Sequence, residues 1–310
     1  MAITSAVARV NSPIAHRLLS IDGKVWGQPL NMTGGSIYAD FVTEKIGPGH
    51  LARKHLSGVK YEDISFEVDT RMIKEFYGWV QETLQGKYSR KNGEIIVCDY
   101  DFMPRGSLSF YSGLLSEVSF PKLDAASKDP AKLKVKLKPE LIRSTRNPPK
   151  VGSKLLPPPG EKKKTWSPAH FKLEIDGLDC KYVSKISPPV ARQVVAENAV
   201  GELRDYQKEP SHWEFGNLTV TLAETHADSW VKWHEDFVVK GNNAEAQEKT
   251  GTLIYLAQDM KTELFVLKLS HLGIFRLHEE VQESGAEKIQ RVEAELYCER
   301  MELEKYGTAT

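Results

Sequence analysis

The side chains that could do chemistry are few and dispersed. Cys98, Cys180 and Cys298 form an odd set with no Cys-x-x-Cys spacing, so a disulfide framework is not expected and each thiol reads as a small buried hydrophobe. His226 and His234 come nearest to a histidine cluster, but eight residues of helix would hold them about 12 Å apart along the axis, too far to share one metal. Asp99 and Asp101 alternate beside Cys98 on one face of a strand-like run, where an acid–base carboxylate pair competes with the simpler reading of a solvated strand end. Gly47-Pro48-Gly49-His50 has the glycines of a phosphate loop without a helix start after it, so it reads as a turn. Gly-x-Ser-x-Gly, the Walker loop, Gly-x-Gly-x-x-Gly and His-Glu-x-x-His do not occur. No catalytic, cofactor-binding or metal residue is assigned, no cofactor is expected, and the chain does not read as an enzyme.

Composition narrows the class. The 310 residues are 40% apolar and 27% charged, as in a soluble globular protein of roughly two domains. No apolar run approaches the ~20 residues of a membrane span, and Met1 to Ala15 has neither a basic nor an apolar leader region, so cytosolic assembly is expected. Formal charge is zero but unevenly spread. Residues 130–165 carry eleven Lys or Arg against Glu140 and Glu161, whereas residues 166–310 carry sixteen basic and twenty-five acidic side chains. The basic linker at 141–167 invites a nucleic-acid reading, but Trp166 is its only aromatic. Without a stacking series it reads as a solvated or partner-docked connector, and nucleic acid enters only as passing cargo.

The elements that would position any site occur twice. Ile21-Asp22-Gly23 recurs as Ile175-Asp176-Gly177 and Trp79 recurs as Trp233, both at an offset of 154 residues without a gap. In the same frame Lys54 meets Lys208, Tyr61 meets Phe215, Ile64 meets Leu218, and Phe76 meets Trp230. A period this long predicts two duplicated domains rather than a solenoid. Each copy opens on a strand ending Ile-Asp-Gly, at 17–22 and 171–175. A second strand follows at 37–46 and 190–200, then a polar loop and an alternating strand at 61–68 and 215–222. One helix per copy carries an apolar stripe, Met72 to Leu84 and Ala227 to Phe237, with Asp228 as a candidate cap and Trp79 and Trp233 as core anchors. Three strand-like runs close each copy: 93–100, 108–121 and 133–137, then 251–257, 263–277 and 289–302.

The expected fold class is therefore mainly β: two tandem antiparallel β-barrel or sandwich domains, each with one packed α-helix. The expected divisions are an N-terminal arm (1–15), a first domain (16–140), a Pro/Lys-rich linker (141–167), a second domain (168–304) and a C-terminal tail (305–310). Pro148 to Lys164 reads as an exposed tether.

This element order, with Arg53-Lys54-His55-Leu56-Ser57-Gly58-Val59-Lys60-Tyr61-Glu62-Asp63-Ile64 ahead of the third main strand, resembles the tail-tube family of contractile phage tails. It is similar also to the Hcp proteins of type VI secretion and the inner tubes of related injection particles. The second copy keeps less of the pattern, as Asp205-Tyr206-Gln207-Lys208 and Phe215-Gly216-Asn217-Leu218. The resemblance implies a structural ring-forming component: a baseplate hub, a tube-end adaptor or a specialised tube layer, assembled in the cytoplasm and then part of a virion tail or injection particle. It implies self-association, with a trimer of pseudo-six-fold symmetry favoured over a hexamer. A hexameric tube protein and spike, baseplate or terminator proteins are the implied partners. Residues 37–56 and 190–210 are expected to carry the intersubunit contacts. A tube-fold carrier or effector loaded in the lumen, and an unrelated tandem β-barrel binding a small ligand, are the alternatives.

Overall fold

The computed structural model of the chain describes residues 16–45, 52–146, 154–156, 166–198, 207–279 and 290–306. Among these, alternating sequences form nineteen strands and two α-helices. The first half comprises β1 (His16–Ile21), β2 (Lys24–Gly27), β3 (Leu30–Gly34), β4 (Ile37–Glu44), β5 (Arg53–Tyr61), β6 (Ile64–Val68), α1 (Lys74–Leu84), β7 (Lys91–Cys98), β8 (Pro104–Ser119), β9 (Leu123–Asp124), β10 (Leu133–Lys138) and β11 (Leu141–Arg146). The second comprises β12 (Phe171–Ile175), β13 (Val183–Ile186), β14 (Val190–Asn198), β15 (Gln207–Phe215), β16 (Leu218–Ala223), α2 (Asp228–His234), β17 (Lys249–Leu256), β18 (Glu263–Glu279) and β19 (Arg291–Tyr306).

The fold is mainly β, and its two large sheets run in the same order. One reads β1-β7-β8-β10-β6-β3 and the other β12-β17-β18-β19-β16-β13. Register matches as well as order. Ile21 pairs with Gly93 as Ile175 pairs with Gly251, and Ile64 pairs with Leu137 as Leu218 pairs with Leu296. Both Ile-Asp-Gly segments end a strand in a turn whose glycine is left-handed, Gly23 at φ 79° and Gly177 at φ 74°, a conformation open to glycine at little cost. The β4–β5 and β14–β15 hairpins share every pairing and one irregularity, at Ala39/Phe41 and Gln193/Val195.

Each helix buries its aromatic stripe against its sheet. In α1 these are Phe76, Tyr77, Trp79, Val80 and Leu84. In α2 they are Trp230 and Trp233, with Phe237 in the wider turn at Glu235–Val239 that extends the helix. Trp79 and Trp233 are both buried, and the indole of Trp79 donates to the Ser89 carbonyl at 2.8 Å. Asp228, expected as the cap, instead lies in the first turn behind Ala227 and makes no capping hydrogen bond. Its carboxylate still sits where the helix dipole favours negative charge.

The two halves share one continuous apolar core. Tyr77 on α1 packs on Phe265 and Tyr306, and the Gln81 amide donates to the Leu303 carbonyl at 2.8 Å. This tightens the expected divisions. Leu141–Arg146 is not linker but a strand paired along residues 106–111 of β8, with Ile142 buried. Trp166 is also outside any tether, lying against Phe265 and Tyr255 in the shared core. The last strand runs on through Tyr306, past the expected end at 304. Of the tether, only residues 154–156 are described, where the Leu155 N–H donates to the Phe102 carbonyl at 3.0 Å.

Candidate assembly surface

The sequence-level chemistry disperses in three dimensions. Cys98 and Cys298 are buried, Cys180 is half-buried, and all three are free thiols. Burial pushes the Cys180 and Cys298 thiols each up to about 11, away from the thiolate a nucleophile needs. Asp99 and Asp101 do not form a pair. Asp99 accepts from the Met103 and Asp101 backbone N–H groups and from the fork of Arg105, which closes a tight turn, while Asp101 points to solvent beside Lys154. The Met103 N–H and then the Arg105 guanidinium hold Asp99 below the usual carboxylate range. His226 lies ahead of α2, stacked on Tyr182 and paired with Asp179, away from His234 at the helix end. The Gly47–His50 turn falls outside the described residues.

What the fold does assemble is a pair of hairpins in contrasting situations. The β14–β15 hairpin adds its first residues to the edge of β8, pairing Val190 with Ser119, Ala191 with Val118 and Arg192 with Glu117. Strand addition satisfies backbone groups that an edge otherwise leaves open. Arg192 reaches the Glu117 carboxylate at 3.1 Å, and Glu117 also meets Lys136. Farther along the hairpin, the Lys208 N–H donates to Glu140 Oε1 at 2.8 Å, Arg90 donates to the Lys208 carbonyl at 2.7 Å, and Arg90 pairs with Glu140 at 3.3 Å. The Lys208 side chain is only 6% exposed, with Glu197 at 3.8 Å, and burial lowers its proton affinity. Within the expected interface segment at 190–210, Val190–Arg192 and Lys208 thus engage the chain's own first half.

The β4–β5 hairpin has the same pairing and, among the described residues, no such seat. It forms a two-stranded sheet of its own. Ile37, Tyr38, Phe41, Val42 and Leu56 are all exposed on it, Leu56 at 78%. The Lys54 ammonium lies 4.9 Å from the centre of the Phe41 ring. Clustered exposed apolar side chains on one hairpin mark an interaction surface.

A second cluster was not legible in the sequence. On the second sheet, Tyr297 donates its hydroxyl to Glu248 Oε1 at 2.7 Å and His271 Nδ1 lies 2.8 Å from Glu248 Oε2. Glu299 completes a group in which the His271 nitrogen and both carboxylates lie within 4.8 Å of one another. These residues come from β18, β19 and the position just before β17, and no motif links them.

No family model and no curated protein matches the chain. Solved structures are similar to it over a little under half its length. A chain of the PVC sheath–tube complex of an extracellular contractile injection system, in the extended state, is 16% identical, with 47% of this chain and 99% of that chain covered and a TM-score of 0.39. A chain of the anti-feeding prophage tube-terminating cap is 17% identical at the same coverage and TM-score. Hcp1 from Flavobacterium johnsoniae is 17% identical over 45% of this chain and 97% of its own, with a TM-score of 0.29.

Proposed function

We propose that this chain is a structural ring-forming component of a phage tail or contractile injection particle, built from two tube-type units in tandem. The first unit closes with β11 and the second opens at Trp166. The observation that carries the reading is the seating of one hairpin on the β8 edge while its counterpart, β4–β5, presents an apolar surface with no seat among the described residues. A subunit that uses one of two equivalent hairpins internally leaves the other for a neighbour. An interface of this head-to-tail kind closes into a ring when its rotation allows.

The tail-tube resemblance of the 53–64 segment and the element order supports the same reading and supplies the place. The ring sits on the axis of the tail as hub, tube-end adaptor or specialised tube layer. Its partners are a hexameric tube protein and spike, baseplate or terminator proteins. Assembly is cytoplasmic, before incorporation into the particle. Two units per chain make three chains sufficient for a pseudo-six-fold ring. Mass photometry and negative-stain microscopy of the concentrated full chain test this: a ring with the mass of three chains is expected. Six chains would refute the trimer, and a chain that stays monomeric even beside tube protein would refute the ring reading.

A further inference from the structure

The in-chain seat has a counterpart on the second half, and among the described residues no strand occupies it. Along β8, residues 117–119 are held by β10 on one side and β14 on the other. The matching stretch of β18 is identified by register: Glu117, Val118 and Ser119 pair with Lys136, Val135 and Lys134, as Arg276, Leu277 and His278 pair with Glu295, Ala294 and Glu293. Among the described residues, that part of β18 pairs with β19 only.

The polar socket has a counterpart too. Arg90 precedes Lys91, which pairs with Gly113; Glu248 precedes Lys249, which pairs with Leu272. Ser112 and His271 precede those partners, and both are left-handed, at φ 50° and 56°. Glu140 follows Lys138 by two residues, as Glu299 follows Tyr297, and Lys138 and Tyr297 occupy the same register position opposite Leu114 and Gly273. The Glu248–His271–Glu299 cluster therefore occupies the register positions of Arg90, Ser112 and Glu140 in the first half, where Arg90 and Glu140 hold Lys208.

The charges are exchanged in a compensating way. In the seated hairpin Lys208 pairs across with Glu197, which supplies a carboxylate to its side chain, while the socket supplies Glu140, accepting from the Lys208 N–H, and Arg90, donating to the Lys208 carbonyl. In the free hairpin Lys54 pairs across with Thr43, so the hairpin offers no carboxylate there, and the socket has Glu248 in the place of Arg90, beside Glu299 in the place of Glu140. A third position agrees. Tyr77 on α1 is 3% exposed because Phe265 and Tyr306 cover it, whereas Val231, at the matching position of α2, is 47% exposed. Ile37 is likewise 50% exposed where its seated counterpart Ala191 is 1% exposed.

We propose that the second half of one chain receives the β4–β5 hairpin of a second copy. Ser36, Ile37 and Tyr38 run antiparallel to His278, Leu277 and Arg276, Lys54 enters between Glu248 and Glu299, and Val231 is covered by the incoming chain. The interface repeats the in-chain contact, so alternating halves follow one another around the ring. The proposal names the contact within the ring reading and rests on that reading. Strand addition sets the register and the lysine–glutamate pairing selects the matching half.

Engineered cysteines test the register in the assembled full chain. The Phe120 N–H donates to the Pro189 carbonyl, so Arg192/Glu117 is a close pair without mutual backbone hydrogen bonds, and Tyr38/Arg276 is its counterpart. Tyr38→Cys with Arg276→Cys is expected to give covalent chain multiples under oxidation, and neither single variant does. Arg192→Cys with Glu117→Cys closes within one chain as the positive control. Lys54→Glu should lower association about tenfold, and adding Glu299→Lys should restore it. Melting curves of the dilute variants separate misfolding from lost association. Rings without the Tyr38–Arg276 crosslink overturn this contact and leave the ring reading standing, whereas an unassembled wild-type chain overturns both. Zinc bound stoichiometrically by the ring, lost in Glu299→Gln with assembly intact, assigns the cluster to a cation and overturns the lysine socket.

Discussion

Two glycines opposite the repeated isoleucines provide a steric test of the paired architecture. Gly93 faces Ile21 and Gly251 faces Ile175. Neither is left-handed, so only the space around a new Cβ matters. At position 93 that atom would lie 2.5 Å from Phe110 Cζ, 2.6 Å from Ile21 Cδ1 and 2.6 Å from the Ser20 carbonyl oxygen. The oxygen belongs to the β1–β7 ladder and cannot retreat without weakening it. At position 251 the nearest atoms are the Glu174 carbonyl oxygen and Ile175 Cγ1, both at 2.9 Å, with Leu272 Cδ1 at 3.2 Å. Overpacking costs about 1–3 kcal/mol, while replacing glycine by alanine returns about 0.4–1 kcal/mol through the unfolded chain. The expected net destabilisation is about 2 kcal/mol for Gly93→Ala and about 1 kcal/mol for Gly251→Ala. Urea melts followed by tryptophan fluorescence, at concentrations too low for association, read this as a lower midpoint with an unchanged slope. A Gly93→Ala chain as stable as the parent, or a larger loss for Gly251→Ala, would refute the reasoning.

Trp79→Ala and Trp233→Ala should each destabilise the chain by about 3–5 kcal/mol through cavity formation, because both indoles lie in the shared core; unchanged melting temperatures would contradict this. Asp99 has its folded-state pKa lowered by the Met103 N–H and Arg105, so the stability it contributes is present above its unfolded pKa near 3.8 and is lost as pH falls through the lower folded value. Asp99→Asn should therefore melt lower than the parent at neutral pH, with the gap closing in acid, and a gap independent of pH would rule the linkage out.

Much of the architecture was legible because it is written in local pattern. Alternation from Tyr61 to Val68 and from Phe215 to Leu222, the Ile-Asp-Gly turns and the aromatic stripes of α1 and α2 depend on residues close in sequence, where the two-residue and 3.6-residue periods act. The constant offset of 154 held as far as the helices, so Lys54 and Lys208 could be matched by eye. It then fails. Gly93 and Gly251 are 158 residues apart and Ser112 and His271 are 159 apart, because the second half is longer between its helix and β18. An ungapped comparison therefore could not place Glu299 opposite Glu140 or Glu248 opposite Arg90.

Only the tertiary structure decided which hairpin is spent within the chain. Lys208 meets Arg90 and Glu140 across separations of 118 and 68 residues. β14 joins β8 through backbone hydrogen bonds, which carry almost no residue signature. The fate of Leu141–Arg146 and Trp166 was decided in the same way. The prolines and lysines between them read as linker, but an open strand edge and the rings of Tyr255 and Phe265, all distant in sequence, drew both into the fold. The sequence determined the elements and their repetition because those depend on neighbours along the chain. Their docking depends on edges and sockets that exist only once the sheets have formed.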